Sequence, residues 1–221
     1  MTNRWRTALA SLGEIKKEFA GRGWMRATSG NLSLRVKKAP LEFYISVSGR
    51  DKSLSLPDDF ILVNEKGTPL PDPAMAGNPL LLKPSAEVGV HAAIYLNTPA
   101  EAIFHVHTPY NTVVSKHSDS GTLILTGYEM IKGLGLWGEE SKVQVPVIPN
   151  HYRLEDLAKE TGGRVDSSVP GVLIEGHGLY AWGGSLQEAK MNVEAFEFLF
   201  EAWCLERQIG KAIRLPEERN G

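Results

Sequence analysis

The sequence predicts an α/β fold, a largely antiparallel sheet with helices on its faces. Strand-like and helix-like segments interleave along the chain, many strand-to-strand links are short turns, and the 221 residues hold enough apolar material for a sizeable core. Hydrophobic residues make up 42% and charged residues 23%, which excludes wholesale disorder, collagen and coiled coil. One domain spanning 1–221 is expected.

Taken in order, Trp5, Leu9, Leu12, Ile15 and Phe19 recur at helical spacing, and Gly21 and Gly23 follow as stop signals. Leu32–Val36 alternates like a strand, and Phe43–Val47 is a second strand closed by the turn Ser48-Gly49-Arg50-Asp51. Phe60–Val63 is an apolar run ended by the turn Asn64-Glu65-Lys66-Gly67. Residues 68–84 form a proline- and glycine-rich loop, after which Ser85 caps a helix to about Leu96. Ala102-Ile103-Phe104 is a buried strand running into His105, and 108–117 is helical. Leu123–Leu125 and Val143–Ile148 are strands. Leu154–Thr161 is a short helix stopped by Gly162-Gly163, and Val172–Ile174 is the last strand. A long helix from Ser185 to about Ile209 offers Met191, Ala195, Phe198, Leu199 and Ala202 for its buried face.

Charge and cysteine usage narrow the function classes. Lys and Arg total 24 against 26 Asp and Glu, so the chain lacks the basic excess of a dedicated nucleic-acid binder. No window approaches a membrane span, and the opening lacks the apolar core of a signal peptide. The lone Cys204 cannot form an internal disulfide, and a soluble, cytoplasmic protein is expected.

Three histidines carry the strongest chemical signal. His105-Val106-His107 ends an apolar strand, so both rings share a face, with Cα atoms roughly 6–7 Å apart. Two imidazoles so placed can converge on one cation, although a hydrogen-bonded surface pair has the same spacing. His177 lies between Gly176 and Gly178 directly after another buried strand. Together the three describe a catalytic zinc, with three protein ligands and one open position. His91, His117 and His151 have no such setting and read as helix-surface or loop residues.

Small-residue turns suggest an anion. Thr28-Ser29-Gly30-Asn31 presents backbone N–H groups, Ser48-Gly49-Arg50-Asp51-Lys52 adds a cation, and Lys83-Pro84-Ser85-Ala86 opens a helix. Beside a metal these suggest a phosphorylated substrate. Among the acids, Glu87 lies in a first helical turn and Glu129 sits among apolar neighbours with Lys132 three residues on, whereas Asp58, Asp59, Glu139 and Glu140 look like solvated surface groups.

Thr28-Ser29-Gly30-Asn31-Leu32-Ser33, Pro84-Ser85-Ala86-Glu87, His105-Val106-His107 and Gly176-His177-Gly178-Leu179 resemble, in that order, the class II aldolase/adducin family, over nearly the whole chain. Ser48–Lys52, Glu129-Met130-Ile131-Lys132-Gly133 and Tyr180-Ala181-Trp182-Gly183 are similar to its sugar-phosphate dehydratase branch. The resemblance implies a three-layer α/β/α fold and one zinc per subunit on His105, His107 and His177. It further implies a phosphorylated ketose substrate and a homotetramer with active sites between subunits. Phosphate would be held by Ser29, Gly30, Asn31, Ser48, Gly49 and Ser85, with Lys52 beside them. Glu87 matches the catalytic base of the family's aldolases and Glu129 the acid–base of its dehydratases, and Glu129 is the favoured residue. A sugar-phosphate aldolase or epimerase is the alternative enzyme. A non-enzymatic adducin-like interaction module is the other class, disfavoured by retention of all three histidines and both acids.

Overall fold

The computed structural model describes residues 2–72, 81–118, 120–138 and 142–212, and the side chains of 2, 3 and 210–212 are outside the description. Glu139 and Glu140 lie outside the described residues. The helices are α1 (Thr2–Gly21), α2 (Val88–Asn97), α3 (Pro109–Val114), α4 (Leu154–Arg164) and α5 (Leu186–Ala212). The strands are β1 (Asn31–Lys37), β2 (Glu42–Ser46), β3 (Phe60–Asn64), β4 (Ala102–Val106), β5 (Thr122–Thr126), β6 (Lys142–Ile148), β7 (Gly171–Ile174) and β8 (Gly178–Gly183). Among the described residues, no helix is long and apolar enough to cross a membrane.

All eight strands form one sheet in the order β3-β2-β1-β4-β8-β7-β6-β5. Every neighbouring pair is antiparallel except β6 and β7. Side chains alternate across the sheet, so it feeds two cores. On one face, Leu32, Leu34, Phe104, Leu179 and Ala181 meet Leu12 and Phe19 of α1 and Phe196, Leu199 and Phe200 of α5. On the other, Phe43, Ile45, Ile103, Val172 and Tyr180 meet Val90 and Ile94 of α2 and Leu157 of α4. The expected α/β/α layering about a mainly antiparallel sheet is therefore the observed one.

Four local expectations change. The apolar run Gly178–Gly183 is a strand, β8, buried along its whole length between β4 and β7. Burial of both faces removes the alternation that marks a half-exposed strand. Helix α4 continues through Gly162 and Gly163 to Arg164, because packing against α2 outweighs the glycine cost. On α5, Met191 and Phe198 are exposed, and Ala189, Val193, Phe196, Leu199, Phe200 and Trp203 are buried. This helix is apolar around much of its girth, so spacing alone does not select the buried stripe. Asp59 is buried rather than solvated, because Lys16 of α1 forms an ion pair with it.

Candidate metal centre

Sheet topology brings the three histidines together. β4 lies between β1 and β8, with His105 opposite Asn31 on one side and Tyr180 on the other. The His105 and Tyr180 rings stack, 3.9 Å between centroids and 9° from parallel. His107 follows the end of β4, held by its N–H donating to the Trp24 carbonyl at 2.8 Å. His177 occupies the turn between β7 and β8, so the short β7–β8 link delivers it to the end of β4. Gly178 makes this approach feasible. A Cβ there would stand 2.6 Å from the Val106 carbonyl oxygen, 2.9 Å from His105 Cε1 and 3.1 Å from His107 Cδ2.

One ligand atom from each histidine lies within 4.8 Å of the others. His105 is fully buried, and its Nδ1–H donates to the Leu179 carbonyl at 2.9 Å, which leaves Nε2 with a lone pair. That lone pair faces His107 Nε2 at 2.8 Å and Glu87 Oε2 at 3.4 Å. His177 Nε2 is 3.3 Å from Glu87 Oε1, and its Nδ1 is buried without a hydrogen-bond partner. Burial, with repulsion from His177, holds His105 down at about 3. Burial and the neighbouring His105 and His177 do the same for His107, against the pull of Glu87. Three imidazoles aimed at one point, one of them with an orphaned nitrogen, form a donor set that suits a divalent cation.

The turns that suggested an anion meet at the same place. Ser29, Gly30, Asn31, Ser48, Gly49, Lys52 and Ser85 line one cavity of about 300 Å³ with Glu87, His107 and His177. The Ser29–Gly30 turn has an unusual backbone. Ala27 and Thr28 sit at φ 51° and 64°, and Gly30 at 73°. Left-handed residues other than glycine cost about 1–3 kcal/mol each and cluster at functional turns. A Cβ on Gly30 would also meet the His105 carbonyl oxygen at 2.7 Å, so this turn and the histidine strand are packed as one unit. Lys52 is buried, its Nζ 3.3 Å from the Val47 carbonyl. Burial and the nearby Lys16 push its ammonium below the usual lysine range, which an anion in the cavity would offset.

The two candidate carboxylates part company. Glu87 is at the N-cap of α2, but its side chain makes no cap; it faces the imidazoles and accepts from Asn31 Nδ2 at 2.6 Å. Glu129 begins a 3-10 turn, Glu129–Leu134, with 83% of its side chain exposed and Lys132 Nζ at 2.6 Å. It does not line the cavity of its own chain. His91, expected on a helix surface, is fully buried: α2 lays it against the sheet, where it bonds Ser33 and Asn31. Its position four residues after Glu87 on one helix face was the available signal. Leu154, which also lines the cavity, gave no signal in the sequence.

The chain is similar to known proteins in both sequence and fold. The model of the Class II Aldolase and Adducin N-terminal domain matches residues 10–204. The chain is 41% identical over 212 residues to a protein named methylthioribulose-1-phosphate dehydratase from Geobacillus sp. (strain WCH70), covering 94% of each chain. It is 42% identical over 198 residues to the protein of that name from Bacillus subtilis (strain 168), covering 89% of this chain and 90% of the relative. Among solved structures, the L-fuculose-1-phosphate aldolase of Thermus thermophilus shares the fold, with a TM-score of 0.73 at 24% identity over 96% of this chain and 99% of that one. A sugar-phosphate aldolase from Thermotoga maritima gives a TM-score of 0.66 at 17% identity, with 96% and 99% covered. Sequence and architecture thus agree, and the chain belongs to the class II aldolase and adducin N-terminal domain family.

Proposed function

We propose that this protein dehydrates 5-methylthioribulose-1-phosphate to 2,3-diketo-5-methylthiopentyl-1-phosphate, a step of methionine salvage, with zinc as its cation. The observation that carries the reading is a single cavity in which a three-imidazole centre adjoins three small-residue turns. It is supported by relatives about 40% identical that carry the dehydratase name.

His105, His107 and His177 would hold the cation and leave one side open to a ketose. Imidazole ligands suit zinc among several divalent ions. When bound, such an ion supplies Lewis-acid stabilisation of negative charge on the substrate carbonyl oxygen. Ser29, Gly30, Asn31, Ser48, Gly49 and Ser85 would take the phosphate, with Lys52 as counter-charge. A carboxylate removes the C3 proton, and the C4 hydroxyl departs with a proton as water. The enol left behind tautomerises to the 2,3-diketone. Such acid–base assistance contributes roughly 10²- to 10⁴-fold in rate.

Glu129 is the proposed acid–base, acting on the cavity of a neighbouring subunit in a homotetramer. Its exposure supports this, as does its partner Lys132, whose ammonium lies 5.9 Å from the ring of the exposed Trp137. Glu87, from the chain that supplies the histidines, would orient the substrate at the cation. The test is subunit complementation. His107→Ala and Glu129→Gln would each be inactive alone, and mixed tetramers would recover part of the activity, because one subunit's histidines meet the other's glutamate. Mixtures as inactive as the parents, with Glu87→Gln also inactive, would move the acid–base role to Glu87 and refute the placement across subunits.

The position of Glu87 beside the imidazoles favours one second reading, a sugar-phosphate aldolase that breaks C3–C4. Product analysis separates the two: a diketone from methylthioribulose-1-phosphate supports dehydration, and a triose fragment from fuculose- or ribulose-phosphates supports cleavage.

A further inference from the structure

A buried line of side chains runs from the core to Glu87. Tyr95 OH lies 2.8 Å from Ser33 Oγ, Ser33 Oγ lies 2.7 Å from His91 Nδ1, His91 Nε2 bonds Asn31 Oδ1, and Asn31 Nδ2 donates to Glu87 Oε2 at 2.6 Å. Tyr95, Ser33, His91 and Asn31 are all under 5% exposed. Chemistry fixes the direction of these bonds. A carboxylate only accepts, so Asn31 must turn its amide NH₂ toward Glu87 and its oxygen toward His91. That oxygen also only accepts, so His91 carries its proton on Nε2. Burial and the neighbouring His105 hold His91 down at about 3, so the ring is neutral and Nδ1 must accept. Ser33 therefore donates to His91 and accepts from Tyr95.

We infer that His91 is a positioning residue: through Asn31 it fixes the rotation of Glu87, so that one carboxylate oxygen is pinned by the amide and the other is left facing His177. The Asn31 amide is nearly symmetric in shape and could turn over. With a donor at His91 Nε2, the turned amide would set N–H against N–H and its oxygen against the carboxylate. The inference rests on the reading that Glu87 works at the cation site.

Two substitutions test it. His91→Leu fills the space and removes the donor, whereas His91→Gln keeps an N–H near the position of Nε2. With both proteins metal-loaded, His91→Leu should lower kcat at least roughly 10-fold with KM little changed, in the range typical of lost outer-shell partners, and His91→Gln should restore most of it. In a Glu87→Gln background His91→Leu should cost nothing further, because its effect passes through Glu87. A readout independent of turnover is ¹⁵N NMR of histidine-labelled wild type, in which His91 should show the Nε2–H tautomer. A normal kcat in His91→Leu, equal losses in both substitutions, additive losses with Glu87→Gln, or the Nδ1–H tautomer would each overturn the inference. Near-wild-type activity of Glu87→Gln alone would instead sink the reading of Glu87 on which it rests.

Discussion

Glu197→Gln should flatten the pH dependence of folding stability, and the size of the effect follows from the surroundings of this carboxyl. Glu197 projects from α5 and is 5% exposed. Its oxygens accept from Thr108 Oγ1 at 2.6 Å and Asn111 Nδ2 at 2.8 Å. Thr108 and Asn111 form the capping box of α3, so Glu197 ties α5 to the turn just after His107. Burial pushes its carboxyl up from 4.5 to about 7, against the two donors. The folded protein therefore keeps this proton in a window where the unfolded chain has lost it. Stability is fully present below the ordinary glutamate value and is lost as pH rises through about 7. At about 1.4 kcal/mol per pH unit, that window amounts to roughly 3 kcal/mol. Glutamine is neutral throughout, accepts from Asn111 and donates to Thr108, so it lacks this loss. Urea unfolding from pH 4.5 to 8.5 at fixed protein concentration, followed by tryptophan fluorescence, measures the difference between the two proteins. The variant should gain roughly 3 kcal/mol on wild type across the range. Parallel stability curves would refute the burial argument.

Gly178→Ala should weaken divalent-cation binding at least roughly 10-fold in chelator competition, since its Cβ meets the Val106 carbonyl and both histidine rings; unchanged affinity would mean that β8 does not set their spacing. Lys16→Met leaves Asp59 buried without its counter-charge and should cost roughly 3–5 kcal/mol. Adding Asp59→Leu should return most of that, and a double variant as unstable as the single one would show that the pair is not the source of the loss.

Much of the site was legible because its residues carry local signals. The His-Val-His strand end, His177 between glycines and the small-residue turns each announce themselves over a few residues, and the sheet gathers them into one cavity. What was hidden depends on partners far along the chain. His91 offers only its spacing from Glu87 as a local mark, since its bonding partners Ser33 and Asn31 come to it from β1, 58 and 60 residues earlier. Asp59 reads as a surface acid until Lys16, 43 residues earlier, is placed against it. Tyr180, on the unrecognised β8, proves to be the ring on which His105 rests. The preference for Glu129 over Glu87 rested on motif similarity alone, and a single chain separates the two by position: Glu87 at the imidazoles, Glu129 on the outer surface.

In the proposed function His105, His107 and His177 together hold one divalent cation. Elemental analysis of wild type and His177→Ala, purified side by side, tests it most directly. Wild type should carry close to one zinc per chain and the variant close to none, with the far-UV circular dichroism unchanged. Equal metal content in the two proteins would contradict it.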